Sequence, residues 1–148
     1  MRWLSALALL LIALTATAQS GVSLLPLGEG DRVRFNAVIE TERAAITGIC
    51  AMLREGDMVK ASLFNEFGIT ALDFTYDVKK RKVKLHTVLP MLNKWYIRHT
   101  LRGDLKHLMQ ALDSGETGYA NTRRHITYQF TPIVPLEDLG DNTENNDD

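Results

Sequence analysis

The sequence has a single cysteine, Cys50, among its 148 residues. One cysteine cannot form an internal disulfide, so the folded chain must be stabilised by packing. Cys50 lies inside an apolar run, where a small buried thiol is the common case. A nucleophilic cysteine would need a base beside it, and the neighbouring residues provide none. We therefore predict that this thiol is structural rather than catalytic.

The spacings that metal and catalytic sites require are also missing. Four histidines are present, and no two of them form an H-E-x-x-H pair: His86, His99, His107 and His125. The sequence contains no P-loop, no dinucleotide-binding fingerprint and no G-x-S-x-G motif. Glu66 and Asp73 lie within LFNEFGITALDFTYD (63–77), and we interpret each as a single exposed carboxylate on the outer side of a sheet. We predict no enzyme activity, no cofactor and no metal site; a small hydrolase is the least supported class.

Neither a strong net charge nor a run long enough to span a bilayer comfortably is present. Residues 1–18 carry Arg2, an apolar run over 4–14 and an A-x-A site at 16–18, which is typical of a cleaved secretory signal. A bilayer needs about 20 apolar residues, so a short membrane anchor is the weaker alternative. Gln19, rather than a lipid-carrying cysteine, follows the predicted cleavage site. We therefore predict export to the periplasm or outer-membrane periphery of a Gram-negative bacterium, without lipidation of the chain itself.

Charge is distributed unevenly beyond the predicted signal. The last twelve residues, EDLGDNTENNDD, hold six acidic residues and no basic one, which leaves 16 basic and 12 acidic residues in the remainder. We predict a signal peptide over 1–18, a loop over 19–31, a single mildly basic domain over 32–136 and an acidic disordered tail over 137–148.

Alternation of apolar and polar residues predicts five strands before any helix. RVRFNAVIE (32–40) places Phe35 and Ile39 on one face, whereas AAITGICAML (44–53) is apolar on both faces, as expected of a central strand covered on both sides. The remaining predicted strands are 58–67, 69–76 and 82–89, the last with Val83, Leu85, Thr87 and Leu89 on one face. The connections are too short for crossovers, so the sheet is predicted to be an antiparallel meander.

The apolar period then changes to that of a helix. Five apolar residues recur at spacings of three and four between Asn93 and Leu112: Ile97, Leu101, Leu105, Leu108 and Leu112. Gly103 could bend this helix or split it, and one more strand is predicted over 123–130. The predicted fold class is α+β: a curved antiparallel sheet, or half-barrel, with an amphipathic helix packed on its concave face. Either the helix or a ligand would fill the interior.

A basic stripe adjoins the apolar stripe of the predicted helix. Its members recur every four residues: Lys94, Arg98, Arg102 and Lys106. Such a pattern suits anionic lipid head groups or an acidic envelope partner, and the alternative is a solvated face. Residues 79–84 add a second basic patch at a hairpin tip. We do not predict nucleic-acid binding, because no aromatic stacking platform is interleaved with the basic residues.

The segment TGICAMLREGDMVKASLFNEFGITALDFTYD (47–77) resembles the lipoprotein-localisation (Lol) carrier proteins of the bacterial envelope, more the B-type outer-membrane receptor than the A-type soluble carrier. The similar features are the strand from Gly48, the strand ending in Asn65 and Glu66, the following Phe67-Gly68-Ile69 and the strand around Asp73. DLKHLMQAL (104–112) resembles the helix that follows in that family. The resemblance covers about residues 32–112, but this chain is shorter and lacks the lipid-carrying cysteine of the B type.

The resemblance implies a half-barrel lidded by helices, whose hydrophobic cavity receives the acyl chains of lipoproteins, with no enzyme activity and no cofactor. On that basis we predict a non-enzymatic envelope protein that binds acyl chains of lipoproteins or lipids, for carriage or insertion at the outer membrane. The alternative is a scaffolding module whose helix fills the sheet and leaves no room for a ligand. The predicted cavity residues are Phe35, Ile39, Leu63, Phe67, Leu72, Phe74 and Leu85, with Trp95 and Leu101 on the lid.

Overall fold

Seven antiparallel strands and one long helix make up the computed structural model, which describes residues 21–134. The strands are Arg32–Glu40 (β1), Ala45–Glu55 (β2), Met58–Asn65 (β3), Thr70–Asp77 (β4), Lys82–Val88 (β5), Gly118–Asn121 (β6) and Ile126–Pro132 (β7). The helix α1 spans Trp95–Asp113 and follows a short 3-10 turn over Pro90–Leu92. The predicted signal (1–18) and acidic tail (137–148) lie outside the described residues.

The strands form one sheet in the order β5-β4-β3-β2-β1-β7-β6. The first five form the predicted meander, and β7 returns to pair with the free side of β1. The sheet curls into a half-barrel, so the predicted α+β class with a curved antiparallel sheet and one helix is confirmed.

The last part of the sheet differs from the prediction. β6 was not predicted, because its four residues are too few to show a period. β7 begins at Ile126 rather than at residue 123, since residues 122–125 form the turn of the β6–β7 hairpin. His125 has a φ of 56°, a left-handed conformation that suits a turn and not a strand.

Each strand presents one face to a common core, which is called the covered face below. It carries, among others, Phe35, Cys50, Leu63, Phe74 and Tyr128. The opposite face, called the open face, carries the other side chain of each alternating pair.

The faces of β5 change at a bulge, and the predicted assignment of its last residues is wrong. Phe74 pairs with Leu85 whereas Asp73 pairs with Thr87, so one extra residue, His86, is inserted. Because a one-residue insertion reverses the alternation, Val88 is buried and Thr87 is exposed.

The helix α1 is continuous, so Gly103 neither bends it into two elements nor ends it. Its buried apolar side chains belong to the same core cluster as the covered face: Leu101, Leu105, Leu108, Met109 and Leu112. α1 contacts β5 and β6, which are the two outermost strands of the sheet. The helix therefore bridges the two edges of the half-barrel.

A buried carboxylate also joins α1 to the sheet. Asp104 is buried, and its two oxygens accept hydrogen bonds from the Tyr128 hydroxyl at 2.7 Å and from the Asn121 side-chain amide at 2.8 Å. Burial and the adjacent carboxylate both raise the pKa of Tyr128, so its hydroxyl keeps its proton and donates. These two hydrogen bonds fix how the helix lies along β6 and β7.

Candidate functional site

Most of the predicted cavity residues lie in the packed core. Seven of the nine are at most 8% exposed and contact one another and the helix in a single cluster: Phe35, Ile39, Leu63, Leu72, Phe74, Leu85 and Leu101. The leucines of α1 that face them, such as Leu105 and Leu108, are fully buried. Interiors of this kind are close-packed, so the helix occupies the volume that the prediction assigned to a ligand.

The other two predicted cavity residues lie on the surface, and their expected places in the wall and lid are wrong. Phe67 is 78% exposed because it lies in the turn between β3 and β4, where the Asn65 side chain accepts hydrogen bonds from the amides of Phe67 and Ile69. Trp95 is 81% exposed at the first position of α1, about 120° around the helix from the buried Leu101.

The open face of β2 is the main departure from the sequence prediction. We expected both sides of this strand to be covered, but Ile49 is 44% exposed, so this side of the strand is open to solvent there. A groove of about 760 Å³, called the open-face groove below, runs across β1, β2 and β3 at this point. Its floor and rim include Arg34, Val38, Ile49, Ala51, Phe64 and Glu66.

The local backbone explains the form of the open-face groove. The register between β3 and β4 shifts at Phe64, next to the turn. On the other side of β3, Gly48 pairs with Asn65, and a Cβ at Gly48 would overlap the carbonyl oxygen of Phe64. Glycine therefore permits the close approach of β2 and β3 that places Ile49 beside Phe64.

The two carboxylates of the central segment have different surroundings. Glu66 is exposed and lies at the rim of the open-face groove. Asp73 is half-buried on β4, opposite Ser62 and Thr87. Within residues 21–134, no group of three histidine, cysteine, aspartate or glutamate side chains is arranged to hold a metal ion.

The thiol of Cys50 is fully buried on the covered face. Burial raises its pKa from 9.0 to about 12, because the thiolate would lose its hydration. The burial of Cys50 agrees with the sequence prediction, and a thiol that stays protonated is a poor nucleophile.

The basic stripe of α1 lies at the surface. Lys94, Arg102 and Lys106 are exposed, and Arg98 is half-buried with its guanidinium donating to the Asn93 side chain at 3.0 Å. The ion pairs of the described region lie elsewhere, at Lys60–Glu55, Lys79–Asp57 and His125–Glu42, and the stripe takes part in none of them. Three of its four side chains are thus exposed, and a role of the stripe in binding stays a prediction.

Exposed aromatic side chains beside the stripe were not predicted. The rings of Trp95 and Tyr96 meet edge to face with centroids 5.8 Å apart, and Met91 in the preceding turn is also exposed. The angular position of Trp95 on a helical wheel, on the same side as Arg102, was the signal that could have identified it as a surface residue.

No helix in residues 21–134 is both long enough and apolar enough to cross a membrane. No protein-family model matches the chain, and neither a curated protein nor a solved structure matches it. The resemblance to the lipoprotein-localisation carriers thus stays a prediction from the motif alone.

Proposed function

We propose that this chain is a non-enzymatic envelope protein that binds acyl chains of lipids or lipidated proteins in the open-face groove, for carriage or insertion at the outer membrane. The observation that supports it is the apolar open side of β2, where Val38, Ile49 and Phe64 border a groove of about 760 Å³. The pattern of residues 1–18 supports export to the periplasm.

The open-face groove takes the place of the interior as the acyl site in this proposal. The interior is filled by α1, whereas the groove already faces solvent and requires no displacement of the core. Burial of a methylene group gains about 0.8 kcal/mol, so a half-buried chain of about ten carbons gains about 4 kcal/mol. Ordering of the chain offsets part of that gain. Such an affinity is weak, as a protein that must release its cargo requires.

The rim of the groove provides a polar contact for the end of such a ligand. Arg34 is exposed on β1 and lines the groove, and its side chain is in none of the ion pairs of the described region. A guanidinium binds carboxylate and phosphate groups with two parallel hydrogen bonds. Arg34 is therefore suited to the carboxylate of a fatty acid or the phosphate of a lipid.

A scaffolding module without a ligand is the second candidate. The filled interior favours it, because the helix buries five apolar side chains where a carrier would keep space for cargo. In that case a partner protein covers the open face.

Titration with a fluorescent fatty acid, with native mass spectrometry of the gently purified chain, tests the proposal. We expect binding to the wild-type chain and at least a tenfold loss in Ile49→Glu, because the new carboxylate would be desolvated by the acyl chain. Val22→Glu is the matched control: it places glutamate at another exposed β-branched residue, away from the groove. It should bind the probe as the wild type does.

Two results would contradict the proposal. A wild-type chain that comes out empty and fails to bind the probe favours the scaffold. Equal binding by Ile49→Glu and the wild type would exclude the groove as the site. Comparison of a free fatty acid with an acylated peptide then distinguishes a lipid ligand from a lipidated protein.

A further inference from the structure

We propose that one side of α1 is a docking surface for anionic membrane lipids. The surface consists of Lys94, Trp95, Arg98, Arg102 and Lys106 and is called the cationic flank below. This inference is independent of the open-face groove, because none of these residues lines it.

The helix geometry brings the aromatic residue and the cations to one side. With 100° per residue, Trp95, Arg102 and Lys106 fall within about 40° of one another around the helix axis. All three are exposed, whereas the buried stripe centred on Leu101 and Leu108 faces the core. The buried stripe is thus used by the fold, and the side chains of Trp95, Arg102 and Lys106 are free to contact something outside.

Acidic side chains are scarce on this helix. It contains only two, Asp104 and Asp113. Asp104 is buried and holds Tyr128 and Asn121, and Asp113 lies at the last position, where it accepts a hydrogen bond from Ser23. The exposed surface of α1 before its last turn therefore carries positive charge without a compensating carboxylate of its own.

The N-terminus of α1 lacks the residues that usually stabilise the start of a helix. Lys94 is the N-cap residue and makes no side-chain capping hydrogen bond, and the first turn holds no acidic residue. Cations at this end oppose the helix dipole, and a serine or aspartate cap would stabilise it. A position that breaks such local rules is a candidate for a functional role.

The exposed aromatic residues favour a lipid surface over an acidic protein. Trp95 is 81% exposed, Tyr96 contacts it edge to face, and Met91 is exposed in the preceding turn. Tryptophan and tyrosine with neighbouring Lys and Arg are typical of surfaces that lie at the boundary of head groups and acyl chains. The cations would bind the phosphates while the indole ring of Trp95 enters the boundary region.

Vesicle binding by the full chain tests this proposal. The chain has two tryptophans, and Trp3 lies in the predicted signal; Trp3→Phe therefore leaves Trp95 as the only tryptophan whether or not the signal is cleaved. In that background we expect tighter binding to phosphatidylcholine vesicles that contain phosphatidylglycerol than to phosphatidylcholine alone, with a blue shift of the Trp95 emission. Each Lys or Arg near an anionic surface strengthens binding roughly fivefold. Arg102→Glu with Lys106→Glu should therefore weaken binding about 30-fold or more.

Arg123→Glu with Arg124→Glu is the matched control, since it makes the same change in charge at exposed positions of the β6–β7 turn. It should bind almost as the wild type does. Three results would overturn the proposal. The first is an equal loss of vesicle binding in both double variants, and the second is vesicle binding without a blue shift of the Trp95 emission. The third is tighter binding to polyglutamate than to the vesicles.

A single substitution separates docking from folding. Lys94→Asp supplies the missing cap and an acidic residue at the helix start, so we expect it to raise the midpoint of thermal unfolding. The same variant should weaken vesicle binding, because it reverses one charge of the flank. If the variant is more stable but binds vesicles as the wild type does, a role of Lys94 and the cationic flank in membrane docking is contradicted. Ile49→Glu should leave vesicle binding intact, so failure of the groove and failure of the flank give different results.

Discussion

Leu108→Ala measures whether the space between the sheet and α1 is packed. Leu108 is 0% exposed, and its neighbours on the helix, Leu105 and Leu112, are equally buried. Loss of its outer carbons costs about 0.8 kcal/mol for each carbon removed from the core. The residual cavity adds about 24 cal/mol per Å³, which brings the expected loss to about 3–4 kcal/mol. A typical domain is stabilised by about 5–15 kcal/mol, so the expected loss is a large part of the total.

Urea unfolding followed by circular dichroism provides the assay. The midpoint should fall while the slope against denaturant stays unchanged, since the folded surface is the same. Ile97→Ala is the control, because Ile97 belongs to the same apolar stripe but is only partly buried. We expect it to lose less than half as much as Leu108→Ala.

A small loss at Leu108 would refute the reasoning about the interior. If the side chain bordered an open cavity, truncation would remove few contacts, and the loss would stay below about 1 kcal/mol. In that case an acyl site between the sheet and the helix would be favoured over the open-face groove.

Four further outcomes are expected. Tyr128→Phe removes a hydrogen bond to a buried carboxylate, so the free energy of unfolding should fall by about 1.5–3 kcal/mol in denaturant titrations. Burial raises the pKa of Cys50 from 9.0 to about 12, so its contribution to the free energy of unfolding is complete below pH 9.0 and is lost as the pH rises towards about 12. Cys50→Ala should flatten this alkaline decline in the free energy of unfolding. Gly103→Ala should raise the free energy of unfolding by up to about 1 kcal/mol, because its Cβ would meet no atom within 4 Å. Gly48→Ala should lower the unfolding temperature, because its Cβ would overlap the Phe64 carbonyl; an unchanged temperature would contradict the close approach.

The sequence predicted the parts of the fold that depend on local periodicity. Alternation located β1 to β5 to within two residues, and the leucine spacing located α1 equally well. It failed at His86, because a bulge changes the side-chain faces without leaving a signal in the pattern. It also failed at β2, since an apolar residue such as Ile49 looks the same whether another element covers it or not. Coverage is a property of the tertiary structure.

The candidate surfaces were predicted unevenly for the same reason. The basic stripe was found because charge at helical spacing points to solvent. Trp95 was assigned to the lid, because hydrophobicity alone does not distinguish a buried aromatic residue from an exposed one. Asp104 was not singled out as a buried residue, although it lies only about 40° around the helix axis from Leu108 of the apolar stripe, which indicates burial. The partners Asn121 and Tyr128 are distant in sequence and could not have been named.

The energetics of the helix explain why any ligand should bind outside the sheet. To admit an acyl chain to the interior, α1 would have to withdraw five buried apolar side chains, at about 1.5–3 kcal/mol each, or roughly 7–15 kcal/mol in total. It would also lose the two hydrogen bonds of Asp104, each of about 1.5–3 kcal/mol. A fully buried chain of ten carbons returns only about 8 kcal/mol before its own ordering is counted. Displacement of the helix is therefore unfavourable, which supports placing the proposed lipid contacts on surfaces that the fold does not use: the open face around Ile49 and the cationic flank around Arg102.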